Sequence, residues 1–149
     1  LLQNISLIGM KMLFKKKEFK RSLVLTKDVC DGLISYCKMN HPDEMILLLK
    51  GKSKNGTMFA ESLVIPPFSD TGPTFAGFPA NQLPLDMDYI GMAHSHPEGS
   101  ADPSLEDLNN FFGLVSVIVK SPYNEEDIFA WDSSGNAIPI SVTETHNEN

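Results

Sequence analysis

Gly91-Met92-Ala93-His94-Ser95-His96-Pro97-Glu98-Gly99-Ser100-Ala101-Asp102-Pro103-Ser104-Leu105-Glu106-Asp107 is the stretch where strand, loop and helix signals meet a group of metal-ligand side chains. Tyr89 to His96 reads as a strand, Pro97 to Ala101 as a loop, and Asp102-Pro103 as the opening of a helix that runs to about Phe112. Side-chain direction on a strand repeats every two residues, so His94 and His96 project from one face with Cα atoms about 6.5 Å apart. Both imidazoles then reach one ion. Asp107 follows His96 by eleven positions, enough chain to turn round and aim a helical carboxylate back at the strand end. A catalytic zinc site takes three such nitrogen or carboxylate donors at about 2.0–2.2 Å and leaves a fourth position open. Two neutral imidazoles and one carboxylate leave about +1 at the metal, which preserves its Lewis acidity and lowers the pKa of a coordinated water toward about 7.

Ser104 lies one helical turn before Asp107, so the two side chains share a face, and a hydroxyl there is suited to stabilise a developing oxyanion. Two competing readings stay open. Ser104-x-x-Asp107 also fits a helix capping box in its broad form. Asp102-Pro103 is itself a good N-cap and first-turn proline, which moves Asp107 into the second turn and frees it for the site. A His-x-His on a strand is by itself commonplace.

Outward from this segment, Leu114 to Val119 is a buried strand, and Ile128 to Trp131, Asp132-Ser133-Ser134-Gly135 and Ile138 to Val142 form a closing hairpin. Upstream, Phe19 to Leu25 alternates as a first strand and Thr26 caps the helix that follows. Val29, Cys30, Leu33, Ile34 and Cys37 give that helix, Lys27 to Met39, one apolar face. Asn40-His41-Pro42-Asp43 breaks it. Met45 to Leu49 is wholly apolar, a strand covered on both faces, with Glu44 at its entrance. Asn55-Gly56 is a hairpin signal before the strand Thr57 to Ile65, although Gly51-Lys52-Ser53-Lys54 suggests a longer loop. Residues 66–84 hold five prolines with Phe68, Phe75 and Phe78 and read as one long loop. About six strands and two helices result, a mixed α/β domain with a largely antiparallel sheet. Residues 1–18 form an extension with a basic arm, 19–143 the domain and 144–149 a polar tail.

The chain of 149 residues is 42% hydrophobic and 21% charged, within the range of a single folded domain. Its net charge of −7 is uneven: six of the twelve basic residues precede position 22, leaving six basic against eighteen acidic residues beyond it. An acidic body argues against nucleic acid as partner. Cys30 and Cys37 are about 10 Å apart along a helix axis, too far for a disulfide with each other, and read as small buried apolar residues of a reducing compartment. An apolar start followed by lysines reverses the order of a secretory signal and is too short to span a membrane, so a cytoplasmic location without membrane contact is expected.

With Glu44, His94-Ser95-His96-Pro97, Ser104 and Asp107 in view, the chain resembles the JAMM or MPN+ metalloproteases, whose signature is an upstream Glu, His-x-His-Pro, and then a Ser and an Asp seven and ten residues on. The match covers Ser22 to Val142 and looks most like the short archaeal members. The resemblance implies a curved sheet flanked by helices, similar to that of cytidine deaminases, and one zinc ion held by His94, His96 and Asp107. It also implies Glu44 as general base toward the attacking water and Ser104 as stabiliser of the oxyanion. The implied activity is isopeptide hydrolysis, releasing a ubiquitin-like modifier from a lysine. Glu44 rests mainly on this resemblance, since a glutamate opening an apolar strand is more often a solvated edge.

Three other functions compete with this reading. Nucleoside deaminases require a Pro-Cys-x-x-Cys, which is absent. A non-catalytic MPN scaffold normally lacks one or more ligands, and all are retained here. A zinc peptidase acting on another peptide or a sulfur-carrier conjugate would use the same machinery. The 66–84 loop is the place to look for substrate contacts.

Overall fold

The computed structural model describes residues 20–66, 70–71, 76–77 and 88–144. The extension with its basic arm up to Lys17, the start of the first strand at Phe19, most of the 66–84 segment with its three phenylalanines, and the tail from Thr145 lie outside the described residues.

Strand β1 (Ser22–Thr26) leads straight into helix α1 (Lys27–Asn40). Thr26 stops the strand by capping the helix, its hydroxyl accepting from the Val29 amide at 3.2 Å. Val29, Cys30, Leu33 and Cys37 form the buried stripe that the 3.6-residue period predicts. Both cysteines are buried free thiols, and burial pushes the Cys37 thiol up to about 12, which fits inert core residues.

Strands β2 (Ile46–Lys54) and β3 (Thr57–Val64) form a tight hairpin. Asn55 (φ 52°) and Gly56 (φ 83°) both take positive φ, as a two-residue turn matched to strand twist requires. The longer loop expected over Gly51 to Lys54 is therefore corrected. Those residues are polar because the tip of the ladder is solvated, and they still pair with Ala60 to Thr57. Two-residue strands β4 (Asp70–Thr71) and β5 (Ala76–Gly77) pair within the segment expected to be one long loop.

Strand β6 (Tyr89–His96) crosses to β7 (Val115–Lys120) through residues 97–114, which include α2 (Leu105–Asn109). The β6–β7 pairing is parallel, so the connection must carry the chain back past the end of β6. This return brings α2 to the histidines. The helix is shorter than expected and starts at Ser104 rather than Asp102.

Strands β8 (Ile128–Trp131) and β9 (Ala137–Ile138) form the expected hairpin. The last strand, β10 (Ile140–Thr143), does not continue it. Pro139 lacks an N–H for the ladder, and beyond it β10 pairs with β1, while the Pro139 carbonyl accepts from the Leu23 amide at 2.9 Å. The eight-stranded sheet runs β10-β1-β3-β2-β6-β7-β8-β9. Its two edge strands are thus joined by one residue, and the sheet curls until it nearly closes into a barrel. Four of its seven ladders are antiparallel; β1–β10, β1–β3 and β6–β7 are parallel.

The main core lies between α1 and the inner face of the sheet, built from Leu23, Leu25, Leu33, Leu47, Leu49, Val115 and Val117 among others. Each fully buried aliphatic side chain here contributes about 1.5–3 kcal/mol. A smaller cluster of Ile46, Leu48 and Met92 covers the opposite face of β2 and β6, as the unbroken apolar run predicts. His94 is on this second face, in step with Met92 and opposite Ile46.

Gly91 makes the β6–β7 contact close: a Cβ there would sit 2.0 Å from the Val115 carbonyl oxygen. Gly91→Ala is expected to lower stability by more than about 2 kcal/mol, read as a fall in the urea midpoint. An unchanged midpoint would mean that the two strands part freely.

Candidate metal centre

The β2–β6 register pairs Ile46 with His94. One step on, the Ser95 amide donates to the Met45 carbonyl at 3.1 Å, and the Met45 amide donates to the Ser95 hydroxyl at 2.8 Å. Ser95 is fully buried. Glu44 directly precedes Met45, just outside the strand, and extending the alternation one further step would set it level with His96. By the two-residue period, Glu44, Ile46, His94 and His96 belong to one face, and Met45 and Ser95 to the other.

His94, His96 and Asp107 converge above β6. The two Nε2 atoms are 3.2 Å apart, and each lies 3.2 Å from a different carboxylate oxygen of Asp107. Donors bound tetrahedrally at about 2.0 Å are separated by about 3.3 Å, close to each of these three distances, and one ligand atom from each residue lies within 4.8 Å of the other two. Polarity agrees with that spacing. His96 Nδ1 faces the Ser100 carbonyl at 2.8 Å and must donate to it, which turns the Nε2 lone pair of the neutral ring into the site. The buried His94 Nδ1 has no partner among the described residues. Two imidazole nitrogens beside a carboxylate form a cluster able to coordinate a metal ion, and it is the only such group found among the described residues.

The capping-box reading of Ser104 and Asp107 is the one the structure shows, which corrects the helix start expected at Asp102-Pro103 and the second-turn place expected for Asp107. Ser104 is the N-cap, its hydroxyl accepting from the Asp107 amide at 3.0 Å, and its own amide donates to Asp107 Oδ2 at 2.8 Å. A reciprocal box satisfies two orphan amides where Asp102 would satisfy one. The same hydrogen bond orients the carboxylate toward the histidines. Asp102 instead joins the Ser100 hydroxyl in the preceding loop.

Burial alone would raise the Asp107 carboxyl, but hydrogen bonds and charge from His94 and His96, with the Ser104 amide, hold it well below the usual carboxylate range. Burial opposes the charging of His96, yet Asp107 and the Ser100 carbonyl outweigh it and raise its pKa. Glu44 is pushed up by burial, with His94 and His96 acting against the rise.

The sequence did not point to Ser95 as the residue that locks the register, though a small polar side chain on the core face of a strand was the available signal. The Ser100 carbonyl left none, being backbone.

A nearly closed sheet with a His-His-Asp cluster at the end of one strand is the catalytic architecture of a JAMM-type zinc metalloprotease. Residues 26–134 match the family described as prokaryotic homologs of the JAB domain, and the chain belongs to that family. It is 30% identical over 138 residues to a probable metalloprotease of Haloferax volcanii, covering 87% of this chain and 83% of that one. A JAB1/MPN domain protein from Archaeoglobus fulgidus superposes with a TM-score of 0.61 at 31% identity, over 80% of this chain and 98% of that one. A structure described as a metalloprotease-like zinc site in the proteasome and signalosome gives 0.60 at 26% identity, over 83% and 99%. A protein from Desulfitobacterium hafniense shares the fold, with a TM-score of 0.68 at 21% identity over 86% and 97%. No helix of the described residues is long and apolar enough to cross a membrane.

Protons and a metal compete for the same lone pairs. With its pKa raised, His96 starts to take a proton at a higher pH than a free imidazole, and the protonated ring cannot ligate. Zinc affinity, measured against a chromophoric chelator, is expected to fall at least about tenfold between about pH 7.5 and about pH 5.5. Equal affinity at the two values would exclude the imidazoles as ligands.

Proposed function

We propose that the protein is a zinc-dependent isopeptidase that hydrolyses the amide between the C-terminus of a ubiquitin-like protein and a lysine side chain. The observation that carries the reading is the His94-His96-Asp107 cluster, joined by a half-buried carboxylate, Glu44, that directly precedes the Met45–Ser95 pair and is not one of its three members.

His94, His96 and Asp107 would hold the zinc. When bound, zinc would supply the Lewis acidity that activates water and polarises the scissile carbonyl. Glu44 takes a proton from the attacking water, and its pKa, raised by burial, suits a group that must then release that proton. It delivers the proton to the departing lysine amine, which leaves only when protonated. Ser104 donates its hydroxyl hydrogen to the oxyanion that develops as water adds. Its oxygen already accepts from the Asp107 amide, which leaves the hydroxyl hydrogen available to donate. The extended glycine-ended tail of a modifier would bind beside the cluster, and the proline-rich 66–84 sequence is the segment we assign to further substrate contacts. The acidic body is consistent with a protein substrate rather than nucleic acid.

A lysine peptide carrying Gly-Gly on its Nζ, followed by mass spectrometry, tests the activity directly. Release of Gly-Gly that stops on chelation supports the reading; cleavage of ordinary peptide bonds alone would reassign the protein as a zinc peptidase of another kind. Glu44→Gln is expected to retain one zinc per chain and lose turnover. Loss of the metal in that variant would make Glu44 a ligand instead. Ser104→Ala is expected to lower kcat by about 10- to 1,000-fold. An unchanged rate with a lower Tm would reduce Ser104 to a helix cap.

A further inference from the structure

Glu44 sits in the short connection between α1 and β2, and a base serves only if that connection is held still. On its C-terminal side, Met45 is strapped to Ser95 by two hydrogen bonds. On its N-terminal side, the His41 amide donates to the Cys37 carbonyl at 3.0 Å and the Asp43 amide to the Asn40 carbonyl at 2.8 Å. Those two bonds tie the turn to its own helix and not to the site.

A bond to the site side does exist. His41 Nδ1 meets the Tyr123 hydroxyl at 2.7 Å, with the two rings edge to face at 5.5 Å. Tyr123 lies in the turn after β7, its amide donating to the Lys120 carbonyl at 2.9 Å, while the Ser121 amide donates to the His96 carbonyl at 3.1 Å. The Tyr123 ring is only 3% exposed and packs into the main core. The hydroxyl is thus a fixed post, built on the turn that is bonded to the candidate ligand His96. Its backbone has φ 66°, a left-handed conformation that is costly for a bulky residue and persists only where the surroundings enforce it. Strain of this kind concentrates at functional sites.

We propose that Tyr123 is a positioning residue for Glu44, holding the connection through His41 so that residues 41 and 45 are both pinned and Glu44 is fixed between them. The proposal rests on the reading of Glu44 as general base. The competing explanation is that His41 merely satisfies a buried phenol, and the two make different predictions.

The test uses the zinc-loaded full chain, the Gly-Gly lysine peptide and Tyr123→Phe, which keeps the buried ring and removes only the hydroxyl. kcat is expected to fall by about 10- to 100-fold, the scale of a displaced catalytic group, with unchanged zinc content. KM should stay within about twofold. His41→Ala, at an exposed position, should reproduce the loss. In a Glu44→Gln background, Tyr123→Phe should lower the residual rate no further. Amide hydrogen exchange gives a readout independent of turnover: Asp43 and Met45 should exchange faster in Tyr123→Phe, while Leu33 within α1 does not change.

Wild-type kcat in Tyr123→Phe with only a reduced Tm would overturn the proposal in favour of simple satisfaction of the phenol. Unchanged exchange at Asp43 and Met45 would overturn it as well. If wild-type protein loaded with zinc cleaves neither this peptide nor ordinary peptide bonds, the general-base reading falls and takes the catalytic part of the proposal with it. Exchange then still decides whether Tyr123 holds the connection.

Discussion

The pairing of β2 with β6 is the constraint on which the rest depends. Ile46 faces His94 across the ladder, and because side chains alternate, a slip of one residue would turn both histidines into the core behind the sheet. Ser95 guards against that slip. Its buried hydroxyl accepts from the Met45 amide, a bond available in one register only. The apolar clusters on both faces reinforce it, since Leu47 and Leu49 fit one side and Ile46 and Leu48 the other.

Given that register, the third member of the cluster follows from topology. The parallel ladder between β6 and β7 forces an 18-residue return over the strand end (residues 97–114), and α2 lies on it. This helix has five residues and none is buried, so packing gives it little hold. The capping box fixes its first turn instead, and the carboxylate that completes the box is the one that faces the histidines. Helix stability and site geometry thus share a side chain. Substitution at Asp107 removes a cap and a candidate ligand together, and the two losses are separable only by measuring metal affinity beside stability.

Local chemistry made much of this legible in the sequence. Thr26 and the 3.6-residue stripe of α1, the apolar run of β2 and the His-x-His strand each declare themselves within a few residues, and the structure follows them. Features that depend on distant partners did not. Lys52 and Lys54 read as loop because only their pairing with β3 makes them strand. Pro139 marks a break, but nothing near it shows that the next four residues return to β1 and draw the sheet toward closure. The start of α2 was ambiguous because two good caps stand two residues apart, and the winner is the one whose partner is also required by the histidines. Glu44 illustrates the limit most clearly: a lone glutamate before an apolar strand means little until the Met45–Ser95 pair ties that strand entrance to the histidine strand.

The central claim is that two imidazoles and one carboxylate hold a single zinc ion with a coordination position left over. X-ray absorption at the zinc edge of the loaded protein tests it most directly. The account predicts about four nitrogen or oxygen scatterers at about 2.0–2.1 Å, with multiple-scattering features of two imidazoles. A sulfur shell at about 2.3 Å, which would bring in Cys30 or Cys37, or the signature of fewer than two imidazoles, would contradict it.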